Sequence, residues 1–215
     1  MTNIGDDTNQ LELDDIFWLM YFDGAKTQEG SGEGCILIDP NKNKHFLSCR
    51  LEFECTNNTT KYEALVLGLK KAIEIKVRNL KVFGDSEIVV RQVRNTIHCL
   101  SPHLKGYQLE VWNLIVHFNA FNINVVPRLQ NDAPDLLATS ACRLVPTNNN
   151  YFVELIFRPS VPNNVTNMRV FDDNEYIIYF LTNEESFKES IIDEEEHLAS
   201  LQMKMKFKEI ASLKQ

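Results

Sequence analysis

The sequence predicts one α/β domain over residues 16–146, built on a five-stranded mixed sheet with helices on both faces. The first observation behind this prediction is the apolar run IFWLMYFDGA at residues 16–25, which is typical of a central strand buried on both faces. The second is a change of apolar period, from that of strands to that of helices, after residue 60. Together these patterns favour three antiparallel strands followed by helices and parallel strands in one sheet.

The first three predicted strands form an antiparallel meander. After residues 16–25, the segment QEGSG at 28–32 is a predicted turn, because its glycines can adopt positive φ. GCILID at 34–39 and HFLSCRL at 45–51 are the second and third strands, joined by a hairpin turn at 40–43.

The later predicted elements alternate helices with strands. Residues 60–75 carry apolar side chains at helical spacing, among them Tyr62, Leu65 and Leu69, and are predicted to form an amphipathic helix. The other elements are, in chain order, a strand at 80–84, a helix at 86–94, a helix from Pro102, a strand at 123–126 and a helix at 133–144.

Charge is distributed unevenly along the 215 residues, whose formal net charge is −8. Residues 1–17 contribute −5, residues 18–146 contribute +2 and residues 147–215 contribute −5. Residues 1–15 are predicted to be an acidic disordered arm, and residues 147–215 a partly ordered, connector-like extension. The central domain is therefore mildly basic, which is compatible with nucleic-acid binding.

The cysteines and the hydropathy pattern predict an intracellular protein in the cytoplasm or the nucleus, not a secreted one. The five cysteines have no CxxC spacing, which favours free thiols in a reducing compartment. No secretory signal pattern and no apolar run of membrane-spanning length is found, so no membrane association is expected.

Four acids stand at element boundaries: Asp23, Glu63, Asp85 and Asp135. Each has an ordinary structural explanation, since Glu63 follows Thr60 at capping-box spacing, Asp85 and Asp135 adjoin helix starts, and Asp23 ends a strand. The predicted topology nevertheless places Asp23 and Asp85 on neighbouring strands, with the other two acids on adjoining helices. Hard carboxylates gathered in this way suit Mg²⁺ or Mn²⁺ better than zinc.

The motifs around these acids resemble the ribonuclease H domain of plant Ty3/gypsy-type retrotransposon polyproteins, within the type 1 ribonuclease H superfamily. The resemblance rests on YFDGA (21–25), CTNNTTKYEALVLGL (55–69), VFGDSEIVVRQV (82–93) and NDAPDLLA (131–138), in that order. It spans residues 18–144, and YFVELIFRPSVPNN (151–164) resembles the segment that follows this domain in such polyproteins.

The resemblance implies a ribonuclease H-like fold and a metal-dependent endoribonuclease that cuts the RNA strand of RNA–DNA hybrids. It implies that Asp23, Glu63, Asp85 and Asp135 are catalytic and bind two Mg²⁺ ions, with Mn²⁺ as an alternative. Asp132 competes with Asp135 for the last role, and the family spacing of four residues from Asn131 selects Asp135.

The resemblance also implies a nucleic-acid surface, whose partner is the RNA–DNA hybrid; protein partners are not indicated. The implied contact residues are Gly24, Ala25, Thr56, Asn57, Asn58, Ser86, Arg128 and Asn131. Basic residues in or near the motifs are further candidates for phosphate contacts: Lys61, Arg91, Arg94, Lys105 and Arg128.

Two departures from the family pattern leave alternatives open. Val125 stands six residues before Asn131, where the family usually has a histidine, and Pro134 replaces the usual alanine. Val125 favours slow turnover, or a catalytically decayed or domesticated module that binds nucleic acid or protein without cutting. A DNA-directed nuclease on the same fold is disfavoured, because the predicted loop at residues 56–58 resembles the hybrid-reading type.

Overall fold

The computed structural model describes residues 16–144 and 153–161, and within them the chain forms a single six-stranded sheet. The strand order is β5-β4-β1-β2-β3-β6. The strands are β1 Trp18–Lys26, β2 Ser31–Ile38, β3 Lys44–Leu51, β4 Asn79–Gly84, β5 Ala120–Val125 and β6 Glu154–Ile156. The predicted segments at 1–15, 145–152 and 162–215 lie outside the described residues.

Strand β1 is central, as its apolar run predicts. It pairs antiparallel with β2 and parallel with β4, and β4 pairs parallel with β5. The first three strands form the predicted meander, in which Asp23 lies opposite Gly34. The predicted mixed sheet, antiparallel at its start and extended by parallel strands, is therefore confirmed.

The sheet has one strand more than the five predicted and continues beyond the predicted domain end at residue 146. Strand β6 pairs parallel with β3, from Cys49 opposite Glu154 to Leu51 opposite Ile156. Val161 follows and packs into the main hydrophobic core. The sequence at 151–157 is compatible with a strand, but three paired residues give too short a pattern to assign it to this sheet, which explains the difference.

Four α-helices cover the two faces of the sheet: α1 Asn57–Glu74, α2 Glu87–Val93, α3 Pro102–Ile115 and α4 Asp132–Arg143. Neighbouring residues of β2 identify the faces, because successive side chains point to opposite sides of a strand. A side chain at Gly34 would meet α4, whereas Cys35 lies against Gly68 of α1. Helices α2 and α3 pack on the α1 side, so the prediction of helices on both faces is confirmed.

Helix α1 begins three residues earlier than the predicted start at residue 60. Thr56 is its N-cap, and the Thr56 hydroxyl accepts a hydrogen bond from the Thr59 backbone N–H at 3.1 Å. The predicted capping box between Thr60 and Glu63 therefore does not form. Thr56, Asn57 and Asn58, predicted to be a loop, are instead the cap and the first turn of α1.

The core between α1, α3 and the sheet is built from large apolar side chains with no exposure or very little: Met20, Phe22, Leu37, Tyr62, Leu65, Leu69, Leu80, Val82 and Tyr107. The position of this core fixes α1 against β1 and β2.

Among the described residues, no helix combines the length and the apolar character needed to cross a membrane.

Candidate active site

Asp23 and Asp85 lie side by side where strands β1 and β4 end. The parallel register places Phe22 opposite Gly84, so each aspartate directly follows a paired residue. Asp23 is 2 % exposed and accepts a hydrogen bond from the Gly24 backbone N–H at 2.8 Å. The structure thus brings together two of the four acids that the sequence singled out.

The Lys61 ammonium group lies between these two carboxylates. It donates hydrogen bonds to Oδ1 of Asp23 and, at 2.6 Å, to Oδ1 of Asp85, with the lysine side chain 18 % exposed. Burial raises the pKa of Asp23, and the Lys61 hydrogen bond and charge offset only part of this rise. Burial lowers the pKa of Lys61, but the two carboxylates outweigh burial and raise it overall, which keeps the ammonium charged.

Gly24 determines how closely α1 approaches the two acids. A Cβ atom at Gly24 would lie 2.2 Å from the Thr60 carbonyl carbon and 2.4 Å from the Lys61 nitrogen. The absence of a side chain therefore allows the α1 backbone to pack directly on the end of β1. The space beside Gly24, predicted to admit nucleic acid, is filled by α1.

Glu63 does not join the acid pair, which corrects the predicted cluster of four carboxylates. It lies two residues after Lys61, about 200° around the helix, and points into the interior. Its Oε1 accepts hydrogen bonds from the Tyr107 hydroxyl and from the Ser160 backbone N–H, the latter at 2.9 Å. Glu63 is fully buried and connects α1 to α3 and to the segment after β6.

Asp135 and Asn131 hold the start of α4 near the same end of β1. The Asn131 amide donates to the Phe22 carbonyl oxygen at 3.0 Å, and Asn131 is fully buried. Asp135 lies one turn further along α4, and its carboxylate faces the Arg128 guanidinium at 3.6 Å. Asp132, the competing acid, is exposed.

The side chains in this arrangement do not fit the predicted pair of divalent ions. Among residues 16–144 and 153–161, no three His, Cys, Asp or Glu side chains are grouped closely enough to hold a metal ion. Two carboxylates remain, and their facing oxygens are occupied by the Lys61 ammonium. A dinuclear magnesium site would need more oxygen ligands than this. Lys61 was predicted only as a phosphate contact.

The predicted nucleic-acid contacts fall into exposed and structural groups. Arg128 is 77 % exposed at its side chain, and Thr56 and Asn57 are exposed at the start of α1. Ser86 caps α2 by accepting from the Val89 backbone N–H at 3.4 Å. Ala25 and Asn58 are half-buried near these positions.

Of the predicted phosphate contacts, Arg94 has a structural role. Its guanidinium donates to the Ile123 carbonyl oxygen at 2.7 Å and to the Asn124 side chain at 2.5 Å, which ties α2 to β5. Arg91 pairs with Glu87 at 3.3 Å on the exposed face of α2. Val125 lies at the end of β5 opposite Gly84, so it borders the aspartate pair and is 44 % exposed.

A second buried acid, Glu33, lies on β2 opposite Gly24 and Cys49. Its pKa is raised to about 8, chiefly by burial; the Cys49 thiol lowers the pKa, and the charges of Glu63 and Glu154 raise it. No nitrogen or oxygen donor among the described residues reaches either carboxylate oxygen. Glu33 is therefore protonated in the folded protein at neutral pH.

Because Glu33 is buried, we predict that the free energy of unfolding depends on pH through this residue. The variant Glu33→Gln should lack that dependence. Because the folded protein holds the Glu33 proton from its ordinary value of 4.5 up to about 8, raising the pH through that window favours unfolding. The free energy of unfolding of the wild type, relative to Glu33→Gln, should fall by about 3 kcal/mol between pH 5 and pH 7.5. Urea unfolding at both pH values measures this difference. The exposed Glu54→Gln serves as the control, and parallel pH profiles for wild type and Glu33→Gln would contradict the assignment.

The family model described as reverse transcriptase-like matches residues 21–141, more than half of the chain, and includes both aspartates and Lys61. The chain belongs to this family. Ribonuclease HI of Halobacterium salinarum is 30 % identical over 86 residues, which cover 40 % of this chain and 43 % of that protein. The match thus spans less than half of the length of this curated relative.

Solved structures support a ribonuclease H-like fold for this reverse transcriptase-like chain. RNase H1 of Halobacterium salinarum superposes with a TM-score of 0.56 and 26 % identity, over 58 % of this chain and 96 % of that one. LC11-RNase H1, solved in complex with an RNA/DNA hybrid, gives a TM-score of 0.54 and 25 % identity, over 58 % and 96 % of the two chains. The predicted α/β ribonuclease H-like fold is therefore confirmed.

Proposed function

We propose that this chain is a ribonuclease H-type domain that binds RNA–DNA hybrids at the end of β1 and β4. The observation that carries the proposal is the Asp23–Asp85 pair at the ends of neighbouring parallel strands, in which Asp23 is buried and Asp85 partly buried. The pair is set in a fold shared with LC11-RNase H1, which was solved with an RNA/DNA hybrid. A hybrid placed on this end of the sheet lies beside both carboxylates and beside the starts of α1 and α4.

The exposed polar groups around the pair suit a nucleic-acid backbone. Arg128 extends into solvent and supplies a guanidinium for phosphate contact. The first turn of α1 presents Asn57 at the N-terminal end of the helix dipole, which favours anions. Side-chain amides there can hydrogen-bond the 2′-hydroxyl group that distinguishes RNA from DNA.

Hydrolysis of the RNA strand is the candidate reaction of this domain, and it requires the Lys61 ammonium to leave the two carboxylates. With Lys61 between them, Asp23 and Asp85 are held as a salt-bridged pair. Among the described residues, the four acids of the expected metal-dependent mechanism are not assembled into one cluster. We also propose a retroelement origin, which the order and spacing of the four motifs support.

Binding of hybrids without cutting is the second candidate function, and one observation favours it. The Lys61 ammonium neutralises part of the charge of the acid pair and occupies the facing oxygens. Such a domain keeps the surface for the hybrid while the reaction centre is closed. We place either form inside the cell, in the cytoplasm or nucleus, a location supported by five buried cysteines with free thiols.

Fluorescence anisotropy with a labelled RNA–DNA hybrid, and with a DNA duplex of the same sequence, tests hybrid recognition. We expect tighter binding to the hybrid and, for about four phosphate contacts, a log–log salt slope of roughly −3 to −4 between about 50 and 200 mM salt. Arg128→Ala should weaken binding and reduce that slope by about 1.

Arg143→Ala is the matched control, because Arg143 lies at the opposite end of α4 and faces Glu29 at 3.8 Å. This variant should bind the hybrid as the wild type does. Equal affinity for hybrid and DNA duplex would contradict hybrid recognition, and a salt-independent affinity would point to a protein-binding role instead.

A further inference from the structure

We propose that Lys61 is the resident cation of the Asp23–Asp85 pair, so that this chain binds divalent metal weakly and binds its hybrid without metal. The inference rests on the proposed function, in which this pair faces the nucleic acid. The inference concerns how the negative charge of the two carboxylates is neutralised. The similarity to other proteins does not address this point.

The charge balance of the Asp23–Asp85 pair depends on the side chains around it. Two carboxylates face a single ammonium group, which donates to Oδ1 of both. The next acid of α1, Glu63, is buried, and its Oε1 accepts hydrogen bonds from Tyr107 and from the backbone of Ser160. The Asp135 carboxylate faces the exposed Arg128 guanidinium at 3.6 Å. Among the residues that the structure describes, the pair therefore has a protein cation and no third acidic side chain grouped with it.

The position of the Lys61 ammonium group is determined by the packing of α1. The backbone of Lys61 is fixed against Gly24, where there is no space even for a Cβ atom. Its side chain is 18 % exposed and reaches the oxygens of Asp23 and Asp85 that face each other. A divalent ion bridging those oxygens would have to displace the ammonium or lie beside it. Like charges at that separation repel strongly where water is largely excluded.

Residue 61 is the position of α1 that faces the Asp23–Asp85 pair. A glutamate there would place a third carboxylate where the ammonium now lies. Lys61→Glu should therefore convert the pair into a set of hard oxygen ligands suited to Mg²⁺ or Mn²⁺. Lys61→Met removes the ammonium without adding a ligand and should have an intermediate effect.

Calorimetric titration of MnCl₂ and MgCl₂ into the full chain tests this assignment. We expect Lys61→Glu to bind Mn²⁺ at least about tenfold more tightly than the wild type, with Lys61→Met between them. Glu63→Gln should leave the wild-type metal affinity unchanged, because Glu63 faces the interior. Wild-type affinity equal to that of Lys61→Glu would overturn the proposal, as would loss of binding in Glu63→Gln.

Circular dichroism first confirms that each variant is folded. If Lys61→Glu does not fold, thermal melting of Lys61→Met replaces it: Mn²⁺ should raise the melting temperature of Lys61→Met and not that of the wild type. Equal rises would overturn the proposal.

Hybrid affinity, measured in EDTA and in Mg²⁺, separates this inference from the proposed function. We expect the wild type to bind the hybrid equally in both. A binding that requires Mg²⁺ overturns the lysine assignment. Absence of hybrid binding in both, together with the expected difference in metal affinity, overturns the proposed function alone.

Discussion

Replacing Lys61 with methionine is expected to lower the free energy of unfolding by about 2–3 kcal/mol in metal-free buffer. Methionine retains most of the length and apolar stem of lysine but leaves Asp23 and Asp85 facing each other without a cation. Removing one partner of a buried ion pair is costly because the remaining charges stay desolvated. Urea unfolding of the wild type and the variant measures the loss.

The matched control is Lys71→Met in the same helix. Lys71 pairs with Glu74 at 2.9 Å, but both side chains are largely exposed, so the expected loss is below about 0.5 kcal/mol. Adding Asp23→Asn and Asp85→Asn to Lys61→Met should recover much of the lost stability, since the repulsion is then removed. Equal losses for Lys61→Met and Lys71→Met would show that the pair is not held by Lys61.

Gly24→Ala is expected to lower the free energy of unfolding by about 3 kcal/mol or more. The new Cβ atom would lie 2.2–2.4 Å from three backbone atoms of Thr60 and Lys61, and none of these can move without shifting α1. The shift should also draw the Lys61 ammonium away from Asp23. Urea unfolding gives the stability, and calorimetric titration with Mn²⁺ reports whether the acid pair has become accessible.

Gly68→Ala is the control for this second prediction. It lies in the same helix and also faces the sheet, but its Cβ atom would meet side-chain sulfur atoms of Cys35 and Met20 at 2.7 and 2.9 Å. Methionine side chains are flexible, and alanine gains up to about 1 kcal/mol over glycine in a helix, so the loss should be smaller. A Gly24→Ala variant as stable as Gly68→Ala would contradict the close contact between α1 and β1.

The adjacency of Asp23 and Asp85 was predictable from sequence because it depends on strand order alone. A central apolar strand and a short strand after the first helix are expected to pair in parallel, which places the residues that follow them side by side. The structure has this pairing, from Trp18 opposite Leu80 to Phe22 opposite Gly84. Backbone pairing of this kind follows from patterns of several residues and is robust to errors of one or two residues at strand ends.

The orientation of Glu63 was not predicted in the same way, because it depends on which face of α1 packs into the core. The Thr60–Glu63 spacing favoured a start at residue 60, whereas Thr56 caps a helix that begins at Asn57. One signal could have corrected this: Thr59, Tyr62 and Val66 lie at helical spacing around Glu63, which places it on the buried face. Its partners, Tyr107 and Ser160, are distant in sequence and only the fold brings them near.

The last strand shows a different limit of sequence reasoning. Strand β6 has three residues, and its partner β3 is distant from it in sequence. Val161 then joins the core, and the Ser160 backbone satisfies Glu63. The charge change near residue 146 suggested a boundary there, but packing and hydrogen bonding of residues 154–161 extend the folded unit beyond it.

The lysine-occupied acid pair is tested most directly by the anomalous scattering of Mn²⁺. Crystals of the wild-type chain grown with an RNA–DNA hybrid and millimolar MnCl₂ would be measured at the manganese absorption edge. We predict electron density for the Lys61 ammonium between Asp23 and Asp85, and no anomalous peak between the two carboxylates. A manganese peak bridging Asp23 and Asp85, with Lys61 turned away from them, would contradict the account.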